Sequence, residues 1–260
     1  MIFLIGGEGF VGSAFTRTLE ARGIKHVIIT RQNYHEFVGK RCDVVINANG
    51  NSSKILAVKN PLQEFDATVR SVRASLVDFK YDCYVYLSSC DVYPDCSSPT
   101  TTSEDTIIDI TKQSPYGFHK YLAEQCVRHA APNWLIVRCG GFVGPGLKKN
   151  AIYDILIGGR LWLNPKSELQ FMNTDRFAEA MLELINRKKY NEIFNICGWG
   201  LIKLQDVIDA IQAKPKLQPQ SPLVRYNVNI AKISKLLDVP ETRKTVLEFV
   251  RTELKRVRKE

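Results

Sequence analysis

A short apolar run, Ile2 to Ile5, meets Gly6-Gly7-Glu8-Gly9-Phe10-Val11-Gly12 and passes directly into Ser13 to Arg22, where Phe15 and Leu19 stand one helical turn apart. Strand, glycine-rich turn and helix in that order constrain the fold more than any other feature of the chain. The glycines permit a tight turn, let backbone approach a pyrophosphate, and let helix pack closely on strand, with the phosphates at the helix N-terminus. Standing alone, such a turn is as often structural. Between a strand and a helix it is expected to hold a dinucleotide through Gly6, Gly9, Phe10, Val11 and Gly12.

The alternation continues downstream. His26 to Thr30 reads as a second strand ending at Thr30-Arg31, where an NAD site usually offers an acidic residue to the ribose hydroxyls. Arg31 offers a guanidinium able to pair with a 2′-phosphate, which favours NADP over NAD, the alternative being an ordinary solvated loop arginine. Asp43 to Ala48 is a third strand. Asn47 and Ala48, at its C-terminal end, join the expected cofactor residues, because open α/β sheets bind ligands there, and a polar loop follows from Asn49 to Ser52. Pro61 to Phe79 reads as one helix with Leu62, Phe65, Val69, Val72 and Leu76 on its apolar face. Tyr84 to Leu87 and Trp134 to Arg138 are further buried strands. Beyond them helices are expected at Ala151 to Ile157, Thr174 to Asn186, Leu204 to Ile211 and Thr242 to Arg256, with extended segments at Leu169 to Met172 and Ile193 to Cys197. The predicted class is α/β: a doubly wound parallel-sheet Rossmann fold over residues 1–147, completed near 170–200, and a small C-terminal substrate lobe from 148–169 and 201–260.

Tyr116 and Lys120, in Tyr116-Gly-Phe-His-Lys120, lie four apart on a predicted helix and therefore share a face. A phenol titrates near pH ~10, so it serves as an acid or base at neutral pH only where something stabilises its phenolate, and a neighbouring ammonium can do this. The spacing is common on solvated helices. It gains meaning from the glycine turn and from Ser88-Ser89-Cys90-Asp91-Val92-Tyr93 at the end of the fourth strand, followed by a long loop from Pro94 to Ser114.

With these motifs in order, the chain resembles the extended short-chain dehydrogenase/reductases, specifically the NAD-dependent epimerase/dehydratase family that acts on nucleotide sugars. Gly-Gly-Glu-Gly-Phe-Val-Gly-Ser resembles the family's cofactor motif, Ser-Ser-Cys-Asp-Val-Tyr its active-site strand end, and Tyr-Gly-Phe-His-Lys its catalytic helix. Arg138 with Val143-Gly144-Pro145-Gly146, the segment Phe171 to Phe177 with Asp175, and Asn191 to Gly198 resemble later family segments. The resemblance implies an enzyme in which Tyr116 exchanges a proton with a substrate oxygen while a nicotinamide carries the hydride. It implies that Lys120 lowers the tyrosine pKa and binds the nicotinamide ribose, and that Ser89 holds the same oxygen, leaving Ser88 to satisfy local backbone.

Departures from the family pattern bear on the reaction. Family dehydratases carry an acidic pair or a glutamate after the catalytic hydroxyl; Cys90 and Asp91 stand here, so dehydration ranks below epimerisation or reduction. Asp66 and Arg70 replace an asparagine and a small residue, and are expected to form an i,i+4 surface pair. Only 22 residues separate Gly146 from Leu169, so the substrate lobe is small and suits a 4-keto-sugar reductase, or another small carbonyl or hydroxyl substrate, as well as an epimerase. Asp91, Tyr93, Lys148 and Arg176 are candidate substrate contacts; Lys148, Lys149, Arg160 and Arg176 are charges able to meet a substrate pyrophosphate, against the plainer reading of each as a solvated charge. A non-catalytic NAD(P)-binding sensor on the same fold is a further alternative.

The net charge is +9, yet its notable basic cluster, Arg243 to Lys259, interleaves Glu248 and Glu253 as a solvated helix face does, so no nucleic-acid partner is expected. Seven cysteines without a Cys-x-x-Cys pair fit reduced thiols in a cytoplasmic enzyme and offer no metal site. No apolar run approaches the ~20 residues of a membrane span, and no membrane partner is expected. The helices Pro61 to Phe79 and Tyr116 to His129 are candidates for a homodimer interface.

Overall fold

The computed structural model describes residues 1–50 and 54–257. Asn51 and Ser52 of the polar loop and Lys259 of the terminal basic cluster lie outside the described residues. Its centre is a six-stranded sheet. In chain order the elements are β1 (Ile2–Ile5), α1 (Gly12–Ala21), β2 (His26–Ile29), α2 (Tyr34–Phe37), β3 (Val44–Asn47), α3 (Lys54–Lys59), α4 (Pro61–Phe65), a π-helical turn (Asp66–Arg70), α5 (Ser71–Asp78), β4 (Cys83–Ser89), α6 (Pro115–Ala130), β5 (Trp134–Cys139), β6 (Gly141–Val143), α7 (Ala151–Leu156), β7 (Arg160–Leu161), β8 (Glu168–Leu169), β9 (Phe171–Asn173), α8 (Thr174–Asn186), β10 (Glu192–Ile196), β11 (Ile202–Lys203), α9 (Leu204–Ile211), β12 (Lys216–Leu217), α10 (Ala231–Ser234) and α11 (Thr242–Val257).

The sheet runs in the order β2-β1-β3-β4-β5-β10. Successive crossovers reverse direction between β1 and β3, and in a doubly wound sheet the crevice beyond the strand ends at such a point takes the ligand. Leu4 pairs with Ile28 on one side and Ile46 on the other, and every residue of β1 and β3 is buried, as strands covered on both faces must be. Phe3, Val45, Tyr84 and Ile136 from the sheet join Val72, Leu76 and Val127 from α5 and α6 in one core.

The chain divides into two compact units. The first comprises Met1–Pro94, Glu104–Cys139 and Ala178–Phe194; the second comprises Asp95–Ser103, Gly140–Phe177 and the stretch from Asn195 onward. Buried amides and hydroxyls knit the second unit. Gln170 accepts from the Val228 N–H at 2.6 Å and donates to the Gly198 carbonyl at 3.2 Å, while Asn195 donates to the Thr102 carbonyl at 2.6 Å and the Asn229 carbonyl at 2.9 Å. Among the described residues no helix is long and apolar enough to cross a membrane.

One expectation about helix faces fails. Leu62 and Phe65 are exposed, whereas Glu64 and Thr68 are buried beside Val69, Val72 and Leu76. The π-helical turn is the reason. At ~100° per residue, Glu64 and Leu76 would lie about 120° apart on an unbroken α-helix, and absorbing one residue in a wider turn reduces this to about 20°. Glu64 is thereby rotated inward, and the apolar residues that a uniform period would bury are turned to solvent. Asp66 and Arg70 do form the expected exposed i,i+4 pair, at 3.7 Å.

Candidate active site

The glycine turn has the geometry of a phosphate cradle. Gly6 sits at φ +80°, and a Cβ on it would lie 2.9 Å from the Asn49 amide nitrogen, so the turn after β1 packs against the loop after β3. A Cβ on Gly12 would overlap the Gly6 carbonyl oxygen and come within 2.7 Å of its carbon. Both neighbours are backbone and cannot yield. Val11, at the N-cap of α1, makes no side-chain cap bond, and no acidic side chain stands in the first turn, which leaves the positive helix end available to an anion. These residues fit a dinucleotide. Gly12→Ala is expected to weaken NADH binding at least tenfold, read by fluorescence titration; an unchanged dissociation constant would show that the turn holds no pyrophosphate.

Arg31 is exposed just beyond β2, and its side chain makes no hydrogen bond or ion pair among the described residues. Thr30 is held from within, its N–H donating to Asn33 Oδ1 at 2.7 Å. The buried Asn47 side chain is committed to the fold: Nδ2 donates to the Tyr84 hydroxyl at 2.7 Å and Oδ1 accepts from the Asn49 N–H at 3.0 Å. Asn47 thus shapes the loop after β3, with Ala48 half-buried beside it.

Ser89 ends β4, and α6 begins with Pro115 after Ser114 caps it by accepting from the Gly117 N–H at 3.1 Å. Gly117 is required here because a Cβ would overlap the Asp91 carbonyl oxygen, which brings the first turn of α6 against the strand end. Tyr116 is buried and lies among the Ser89 hydroxyl, Asp91, Cys139 and Glu64. Burial pushes its phenol well above the ordinary tyrosine range, the charges of Asp91 and Glu64 add to this, and the hydrogen bond with Ser89 opposes it. Lys120 stands one turn beyond Tyr116 on α6 and is buried. Its Nζ donates to the Leu87 carbonyl at 3.1 Å and lies 5.1 Å from the Tyr86 ring centre, and burial holds its pKa below the usual lysine value. The Tyr86 hydroxyl is buried without a hydrogen-bond partner among the described residues.

Asp91 is engaged from two sides. It accepts from the Ser89 hydroxyl at 3.0 Å and from Lys54 Nζ at 2.6 Å. Ser88 does more than satisfy local backbone, contrary to expectation: its hydroxyl donates to Glu124 Oε1 at 2.6 Å. Arg138 donates to the same carboxylate through Nε at 3.1 Å and Nη2 at 2.8 Å, and through Nη1 to the Tyr93 hydroxyl at 2.9 Å. Burial alone would lower the Arg138 pKa, but the charge and hydrogen bonds of Glu124 outweigh it. Tyr93 is therefore a buried partner of Arg138, and Glu124 is the residue that sequence reasoning missed. Its spacing, four beyond Lys120, was the available signal.

Lys148 and Arg176 belong to the second unit. Lys148 is exposed after the Gly144-Pro145-Gly146 turn, and Arg176 is exposed in the first turn of α8, its N–H donating to Asn173 Oδ1 at 3.3 Å. Arg160, also exposed, lies 5.2 Å from the Trp162 ring centre.

Comparison with known proteins identifies the family and the fold. A model of the NAD dependent epimerase/dehydratase family matches residues 2–197. A chloroplast stem-loop binding protein of 41 kDa b from Arabidopsis thaliana is 25% identical over 270 residues, covering 87% of this chain and 66% of its own; the chain thus spans just under two thirds of that relative. Among solved structures, a UDP-galactose 4-epimerase superposes with a TM-score of 0.80 at 19% identity, over 98% of this chain and 99% of its own. MoeE5 in complex with UDP-glucose and NAD also gives 0.80, at 14% identity over 97% and 99%. At such identities the structural likeness speaks for the fold alone.

Proposed function

The chain belongs to the NAD-dependent epimerase/dehydratase family, and on that premise we propose that it acts on a nucleotide-linked sugar by hydride transfer, with Tyr116 as the acid–base group. The observation that carries this is the convergence of Tyr116, Ser89 and Lys120 around the C-terminal end of β4. When bound, the nicotinamide supplies the hydride donor or acceptor, and Gly6, Gly9, Phe10, Val11 and Gly12 would hold its pyrophosphate. Tyr116, kept protonated by burial, donates its proton to a substrate carbonyl and recovers one from a substrate hydroxyl in the reverse sense. Ser89 orients that oxygen, and Lys120, with two N–H donors beyond the one given to Leu87, would meet the nicotinamide ribose. Lys148 and Arg176 are the proposed contacts to the substrate diphosphate. Asp91 would have to release Lys54 and Ser89 before it could act as a base, which disfavours dehydration.

A second outcome, reduction of a 4-keto-sugar by NADPH, is favoured by the exposed guanidinium of Arg31. Arg31→Asp is expected to move the ratio of NADPH to NADH dissociation constants at least tenfold toward NADH; equal constants before and after would show that Arg31 reads no phosphate. The test of function is a panel of UDP- and dTDP-sugars with each dinucleotide. An epimerase interconverts sugars without net cofactor consumption, whereas a reductase consumes NADPH stoichiometrically. No turnover across the panel, with dinucleotide binding intact, would favour a sensor. Salt-dependent binding of a stem-loop oligonucleotide in that case would assign the +9 charge to a nucleic-acid partner.

A further inference from the structure

A second polar cluster, Glu64 with Thr68 and His119, acts electrostatically on Tyr116, and nothing in the proposed chemistry uses it. Glu64, on α4, is wholly buried. Its Oε1 accepts from the Thr68 hydroxyl at 2.5 Å and its Oε2 from His119 Nδ1. Phe65 meets the imidazole edge-on, with ring centres 5.5 Å apart. His119 lies on α6 three residues after Tyr116 and immediately before Lys120. The carboxylate is also close enough to act electrostatically on Tyr116, Lys120 and Tyr86.

Burying a carboxylate is costly, and an apolar pair of similar volume would hold two helices together at least as well. What an apolar pair lacks is direction. A hydrogen bond between a fixed carboxylate and a ring nitrogen specifies the rotation of α6 about its axis, on which the aim of both Tyr116 and Lys120 depends. The π-helical turn belongs to the same device, since without it Glu64 would turn about 100° away from α6. From this geometry we infer that Glu64 and His119, braced by Thr68, form a latch that sets the rotation of the catalytic helix: positioning residues for Tyr116 and Lys120. The inference rests on the acid–base role proposed for Tyr116.

The test replaces direction by packing. Glu64→Met combined with His119→Phe keeps the volume and removes both charges and the hydrogen bonds. With 3-fluorotyrosine incorporated, the Tyr116 resonance, assigned by Tyr116→Phe, reports the pose of the ring without substrate. The expected result is a melting temperature at or above that of the parent, a broadened or split Tyr116 line, and, with UDP-galactose and NAD, a kcat at least fivefold lower at a KM within twofold. Glu64→Gln, which can retain both hydrogen bonds, should recover most of the line shape and of kcat. A parental Tyr116 line in a folded double variant would overturn the latch, whatever the activity. Should the double variant not fold, Thr68→Val carries the test: a broadened line supports the latch, and an unchanged line overturns it. If the parent turns over no nucleotide sugar, the functional proposal fails while the resonance still decides the latch.

Discussion

Tyr116→Phe is expected to lower turnover of the active nucleotide sugar by about 10²–10⁴-fold, the usual contribution of a positioned acid–base group. Dinucleotide affinity and melting temperature should stay close to those of the parent. The hydroxyl sits in a site where burial, Asp91 and Glu64 all oppose its ionisation, so its removal takes away a desolvated polar group and leaves the packed ring in place. Single-turnover transfer of hydride, measured beside steady-state kcat, checks this directly. Retention of parental turnover would mean that another group moves the proton; absence of turnover in both proteins would instead favour the sensor alternative.

The largest loss of stability is expected from Glu124→Ala. Arg138 and Ser88 would remain buried with their principal acceptor gone, and removing one partner of a buried ion pair costs about 3–5 kcal/mol. For a chain of this size the melting temperature should fall on the order of 10 °C. Glu124→Leu combined with Arg138→Met should recover most of the loss, because two apolar side chains leave no orphaned charge. Thermal melts of the two single variants and the double one give the coupling energy; strict additivity would show that the pair is not a unit. Catalysis is expected to suffer beyond stability in the double variant. Glu124 ties α6 to Ser88 at the end of β4 and, through Arg138, to β5, where Ser89 and Cys139 stand in register.

The parts of the site that were legible in the sequence are those with a local physical cause. A glycine turn between a strand and a helix demands small residues at fixed offsets, and α8 and α9 begin and end where their apolar periods do. Tyr116 and Lys120 share a helix face by their spacing, and the glycine turn and the Ser88–Tyr93 segment before them are what made that spacing informative. The burial of Glu64 was not legible, because a constant period assigns the inner face to Leu62 and Phe65, and a single absorbed residue leaves no mark in the hydrophobic pattern. Ser88 was misjudged for a related reason: its partner Glu124 is 36 residues away, on an element whose rotation a pattern cannot supply.

Sequence alone was enough for the family and the class of fold, and it singled out the glycine turn at Gly6 to Gly12 and Ser89, Tyr116 and Lys120 as candidates, since each pattern is set by interactions within a few residues of chain. Only the tertiary structure decided how those groups are held. Lys120 reaches the Leu87 carbonyl, Lys54 meets Asp91, and α6 is bonded through Glu124 to Arg138 and through His119 to Glu64. Buried charges need partners, and partners distant in sequence become neighbours only once the sheet and a π-helical turn have fixed which way each helix faces.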